Sequence, residues 1–145
     1  MSLRRCALFQ AEVAAAPAVV WDLLARVEDW PGWTPTVERI VNLSGQSLAM
    51  GRQYKVKQPG LREAVYTITG LEDCRRFTWE SRLPGTRLIA DHIVEEVGGK
   101  TRLELSFSAE GVMGALVQWL YGGKIASFVE TEGRSLKRAA EVAAA

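Results

Sequence analysis

From Val37 to Ala109 the chain alternates apolar and polar residues with a period of two. Turn signals interrupt it at Ser44-Gly45, Pro59-Gly60, Glu72-Asp73, Pro84-Gly85 and Gly98-Gly99. Successive side chains of a strand point to opposite faces, and alternating runs bounded by Gly, Pro and Asp pairs read as strands joined by tight turns. The stretch is therefore restricted to a series of antiparallel strands. Tyr54 and Val56 oppose Lys55 and Lys57; Ala64, Tyr66 and Ile68 oppose Thr67 and Thr69; Phe77, Trp79 and Ser81 oppose Arg76, Glu80 and Arg82. Leu88, Ala90, His92 and Val94 oppose Arg87, Asp91 and Glu95, and Leu103, Leu105 and Phe107 oppose Arg102, Glu104 and Ser106. Val37 to Leu43 alternates too weakly for its faces to be assigned. One sheet face thus gathers aromatic and aliphatic side chains while the other carries charge, and the apolar face needs a cover.

The two ends of the chain supply the remaining elements. Ala7, Phe9, Ala11 and Val13 keep the strand period, so a first strand ends near Val13. Pro17 suits the first turn of a helix, and Val20, Leu23, Leu24 and Val27 follow at helical spacing. Asp29-Trp30-Pro31-Gly32-Trp33-Thr34-Pro35 then allows a short helix or turn and no long continuation. After Gly111, Val112, Leu116, Val117 and Leu120, then Ile125, Phe128, Val129, Leu136 and Ala140, recur at helical spacing and predict a long C-terminal helix over the sheet. Gly122-Gly123 predicts a break or bend in it, with the preceding segment a separate short helix, because each glycine costs a helix interior roughly 1 kcal/mol.

A chain of 145 residues without internal repeats or linkers reads as one domain, residues 1–145. The composition, 48% apolar and 24% charged, is that of a globule with a core rather than a disordered or fibrous chain. Eighteen Lys and Arg against seventeen Asp and Glu leave a net charge of +1, and no basic block exists to follow a phosphate backbone, so nucleic acid is excluded as a partner. Apolar runs fall short of the roughly 20 residues that span a bilayer, which argues against integral membrane association. Met1–Ala16 imitates a secretory signal through Arg4, Arg5 and its alanines, but Gln10 and Glu12 interrupt the apolar segment and the stretch alternates like a strand. Met1-Ser2-Leu3 fits a remnant of vector sequence. Two isolated cysteines, Cys6 and Cys74, form no disulfide framework, and the cytoplasm is the expected compartment.

The order strand, helix, short helix or turn, six strands, long helix resembles the helix-grip fold of the START and Bet v 1-like (SRPBCC) superfamily. Pro17-Ala18-Val19-Val20-Trp21-Asp22-Leu23-Leu24 followed by Asp29-Trp30-Pro31-Gly32-Trp33 looks like the polyketide cyclase/dehydrase branch of it. So do Arg76-Phe77-Thr78-Trp79, the strand containing His92, Gly99-Lys100-Thr101-Arg102-Leu103, and Leu136-Lys137. Each motif is mostly a packing signature, and their order and spacing carry the comparison. The resemblance implies an α+β fold: a curved seven-stranded antiparallel sheet wrapped around the C-terminal helix, with two short helices between the first and second strands. It implies little about a reaction, because such folds host aromatase/cyclases, lipid carriers and receptors alike.

In this fold ligands sit between sheet and helix, and the inward residues suit a mostly apolar cavity with a few polar groups. The expected ligand-binding residues are Trp30, Trp33, Tyr54, Tyr66, Phe77, Trp79, Ser81, Leu88, Ala90, His92, Leu105, Phe107, Leu116, Leu120 and Phe128. The same residues also describe a filled core. His92, the only histidine, falls on the apolar face; with Tyr66 it is the candidate acid–base group, or else a neutral imidazole satisfied by a carbonyl or a tyrosine. Asp91, its neighbour, points to the other face and cannot orient it. Trp30 and Trp33 are a gate to the cavity or a hydrophobic plug. No ligand spacing for a metal and no cofactor fingerprint occurs.

The leading expectation is a protein, monomeric or weakly dimeric, that binds a small hydrophobic molecule: aromatic, polyketide-like or lipid. The alternatives are a cofactor-free cyclase, aromatase or dehydratase-type lyase using His92, and a lipid or quinone carrier.

Overall fold

The computed structural model describes residues 3–45 and 47–145. Met1 and Ser2 of the expected vector remnant, and Gln46, lie outside them. The alternating stretch forms β2 (Arg39–Asn42), β3 (Gln53–Lys57), β4 (Ala64–Glu72), β5 (Arg76–Leu83), β6 (Thr86–Val97) and β7 (Lys100–Glu110), and the N-terminal run forms β1 (Leu3–Val13). All pair antiparallel in one sheet of order β1-β7-β6-β5-β4-β3-β2. Register shifts between Arg5 and Ala7 in β1, and between Ile68 and Gly70 in β4, mark bulges, which bend strands and raise their twist. The fold is the α+β helix grip expected from the sequence.

Strands β1 and β2 are consecutive along the chain yet occupy opposite edges of the sheet, so the segment between them has to cross its width. Helix α1 (Pro17–Ala25) and a 3-10 helix (Val27–Gly32) make that crossing. Pro17 stands in the first turn of α1, where a missing N–H costs nothing. Val20, Trp21 and Leu24 turn inward, and the Trp21 ring meets Phe77 edge-on with centroids 6.3 Å apart. This packing closes one end of the grip around Leu103, Leu105, Leu136 and Ala140, all essentially buried.

Helix α2 (Gly114–Ala144) is one continuous helix, which corrects the expected break at Gly122-Gly123 and the separate short helix before it. A Cβ at Gly123 would meet nothing within 4 Å and one at Gly122 only an ordinary contact, so no packing forces the helix to bend there. Once a helix is nucleated, each further residue adds a hydrogen bond, and two unfavourable residues do not offset a run of 31. The glycine with a packing role is Gly133, where α2 crosses β1: a Cβ there would overlap the Phe9 ring.

The C-terminal half of α2 is also tied to the end of β1. Lys137 donates to the Glu12 carbonyl at 2.9 Å, and the Glu141 carboxylate accepts from Lys137 at 2.6 Å and from the Ala14 N–H at 2.8 Å. The N-terminal half turns large apolar side chains outward, with Trp119 79% and Leu120 55% exposed. Among the described residues no helix is long and apolar enough to cross a membrane. On the outer face the charges pair with one another, as in Arg39–Glu63 at 3.2 Å and Arg76–Asp91 at 2.6 Å.

Candidate functional site

A cavity of about 520 Å³ lies between the sheet and the stretch of α2 from Val117 to Glu132. Its sheet wall is Tyr66 of β4, Trp79 of β5, Leu88, Ala90 and His92 of β6, and Leu105 and Phe107 of β7. Val117, Tyr121, Lys124, Ile125, Phe128, Val129 and Glu132 of α2 form the roof. The mouth opens beside the β3–β4 loop, at Gln58, Gly60, Leu61 and Arg62, and beside Leu83. Lys124 hangs across this mouth, its ammonium close to Gly60 and 5.8 Å from the centre of the Phe128 ring.

Trp30 comes from the 3-10 helix and forms part of the inner wall. Its Nε1–H donates to the Leu24 carbonyl at 3.1 Å, one of the carbonyls that the end of α1 leaves without a helical partner. That bond and tilted contacts to Trp79 at 5.3 Å and Trp33 at 5.5 Å fix the ring. Trp30 is thus a piece of fixed wall, and Trp33 backs it without reaching the cavity.

His92 is 2% exposed and paired across the sheet with Phe77. Its Nδ1 bonds the Phe77 carbonyl at 3.0 Å, and a carbonyl only accepts, so the proton is on Nδ1. Nε2 is left as an acceptor with no bond to a described residue. Burial pushes the imidazole down to about 4, against smaller raising effects of the Phe77 carbonyl and Asp91. The Asp91 carboxylate is engaged on the opposite face by Arg76 at 2.6 and 3.0 Å and by Thr78 Oγ1 at 2.8 Å.

Glu132 is the residue that sequence reasoning missed. It stands in the cavity roof with no hydrogen bond or ion pair to any described residue, and burial pushes its carboxyl up to about 8. The Tyr66 phenol is raised as well, by burial first and by Glu132 second. The signal was present: Phe128, Val129, Glu132 and Leu136 share one helical stripe, and a carboxylate interrupting an apolar stripe is the kind of exception that marks a site.

Of the expected ligand-binding residues, Trp30, Tyr66, Trp79, Leu88, Ala90, His92, Leu105, Phe107 and Phe128 line the cavity together. Trp33, Tyr54, Phe77 and Ser81 do not line it; Tyr54, Phe77 and Ser81 are buried in the sheet, and Tyr54 Oη and Trp33 Nε1 are buried without a partner. Leu116 and Leu120 lie on the exposed surface of α2, at 41% and 55%. The cavity stripe runs through Val117 and Tyr121, one position later, and one position is about 100° around a helix.

The family profile described as polyketide cyclase / dehydrase and lipid transport matches residues 9–143. No curated protein matches the chain. Among solved structures, TTHA0849 from Thermus thermophilus is 16% identical, with a TM-score of 0.72 over 96% of this chain and 99% of that one. The Panax ginseng major latex-like protein 151 is 14% identical, with a TM-score of 0.72 over 98% and 97%. The Zhui aromatase/cyclase from Streptomyces sp. R1128 is 16% identical, with a TM-score of 0.69 over 99% and 94%. At such identities the likeness speaks for the fold.

Proposed function

Because the chain belongs to the polyketide cyclase / dehydrase and lipid transport family, we propose that it binds a small, largely apolar molecule, aromatic or polyketide-like, between its sheet and α2. The observation that carries this reading is the cavity of about 520 Å³, walled by rings and aliphatic side chains and open at one end. Its volume lies in the range of small-molecule sites, roughly 300–1,000 Å³. Affinity comes from burying apolar surface, about 25 cal/mol per Å², and Tyr66, His92 and Glu132 set orientation. Cys6 and Cys74 are free thiols, in keeping with a cytoplasmic setting.

The test is native mass spectrometry of protein purified without denaturation, followed by titration with apolar aromatic probes. A co-purified molecule, or saturable one-to-one binding of such probes, is expected. Protein that carries nothing and binds none of them overturns the reading.

A second reading, a cyclase or dehydratase-type reaction, is favoured by one observation. Glu132 places an acid with its pKa near 8 in the same cavity as Tyr66, which suits proton donation at neutral pH. His92, at about 4, is a weak base there. In this reading Glu132→Gln abolishes turnover of a polyketide-like substrate while His92→Gln reduces it modestly.

A further inference from the structure

The polar groups along the cavity are sorted by charge. The mouth carries the cations Arg62 and Lys124, while toward the closed end the roof presents Glu132. From Lys124 to Glu132 is about 12 Å of helix. At that end β4 presents the Tyr66 hydroxyl, and β6 presents His92, whose Nε2 can only accept because Nδ1 is committed to Phe77. Glu63 of the β3–β4 loop, the other acid at the mouth, is paired with Arg39. Trp30, Trp79 and Tyr66 add aromatic faces, whose quadrupoles attract cations.

We propose that the ligand carries a protonated amine on its apolar body, and that Glu132 receives this ammonium at the inner end of the cavity. The inference rests on the cavity being a ligand site and names the class of ligand. An unpaired carboxyl in an apolar roof costs the empty protein stability near neutral pH, and no interaction among the described residues offsets it. An ammonium does: it supplies the opposite charge and N–H donors to a carboxylate and an imidazole acceptor. An anionic ligand meets Glu132 without a neutralising cation, and its acidic group stays at the mouth with Lys124 and Arg62. Because the empty-state Glu132 is mostly protonated at pH 7, an amine that arrives charged displaces close to one proton from it. A neutral ligand displaces none.

The experiment titrates three matched probes, naphthylethylamine, naphthylethanol and naphthylacetate, into the full chain by calorimetry at pH 7 in two buffers of different ionisation enthalpy. The amine is expected to bind about tenfold tighter than the alcohol, a difference of about 1.4 kcal/mol, with the acetate weakest and proton release for the amine alone. In Glu132→Gln the amine falls to the affinity of the alcohol in the same variant, so the tenfold preference is lost. An alcohol that matches the amine in wild type, or a preference that survives Glu132→Gln, overturns this inference and leaves the cavity reading standing. If none of the three binds wild type, the cavity reading falls and takes the inference with it. The wild-type series decides even if Glu132→Gln folds poorly, and Glu132→Leu repeats the comparison.

Discussion

His92 is held twice by Phe77. The imidazole lies flat on the phenyl ring, centroids 4.0 Å apart and planes 13° apart, while its Nδ1–H donates to the Phe77 carbonyl at 3.0 Å. Stack and bond together fix the orientation and tautomer of the ring, and burial removes its charge. Because the chain has one histidine, its nitrogen resonances are unambiguous by NMR. They are expected to show Nδ1 protonated at pH 7 and a titration midpoint near 4. A midpoint near 6.5 contradicts this account.

The pH dependence of stability follows from two groups of opposite sign. His92 is lowered on folding from 6.5 to about 4, so the unfolded chain holds more protons across that window and stability rises with pH through it. Glu132 is raised from 4.5 to about 8, so the folded chain holds more protons there and stability falls as pH rises through it. Between about 4.5 and 6.5 the two oppose each other, and the contribution of each is a few kcal/mol at most. In Glu132→Gln, urea melts should show stability rising from pH 4 to 6.5 and no decline from there to pH 8, where wild type declines. A variant that tracks wild type across this range refutes the assignment.

Filling the cavity should separate binding from folding. Ile125 faces the empty space from α2, so Ile125→Trp places an indole where a ligand's apolar body would lie. Apolar probes should lose about tenfold or more in affinity, with the melting temperature unchanged or raised, since added contacts in a void stabilise. Retained affinity in the filled variant argues that probes bind elsewhere.

The glycines of α2 should respond in opposite directions to alanine. Gly123→Ala meets open space and gains helix propensity, about 0.5–1 kcal/mol of added stability. Gly133→Ala drives a methyl into the Phe9 ring, and overpacking of this kind costs about 1–3 kcal/mol. Denaturant unfolding of the two variants checks the sign of each, and a stabilised Gly133→Ala would mean that Phe9 moves aside freely.

Strand alternation made the fold legible, because period two assigns each residue of β3 to β7 a face without knowledge of its neighbours. It does not say how far that face stands from the helix above. Phe77 and Ser81 share the inward phase of Trp79, yet they face parts of the sheet where nothing hollow remains. On α2 the misreading was one of phase. Leu116 and Leu120 are as apolar as Val117 and Tyr121, and only the sheet beneath decides which of two adjoining stripes turns inward. Glu132 was overlooked because a search for apolar recurrence passes over the positions where the stripe is interrupted.

Lys137 and Glu141 fasten the last turns of α2 to the β1 corner, and the Met113 N–H on the Gly85 carbonyl at 2.8 Å pins its start, while the turns from Val117 to Phe128 lie over the cavity. A rod pinned at both ends bends most where nothing lies beneath it, and here that stretch roofs the hollow. Amide protons near Leu116–Tyr121 should exchange well before those near Leu136, and an occupant's residence time would then track the unfastening of this segment more closely than its equilibrium affinity.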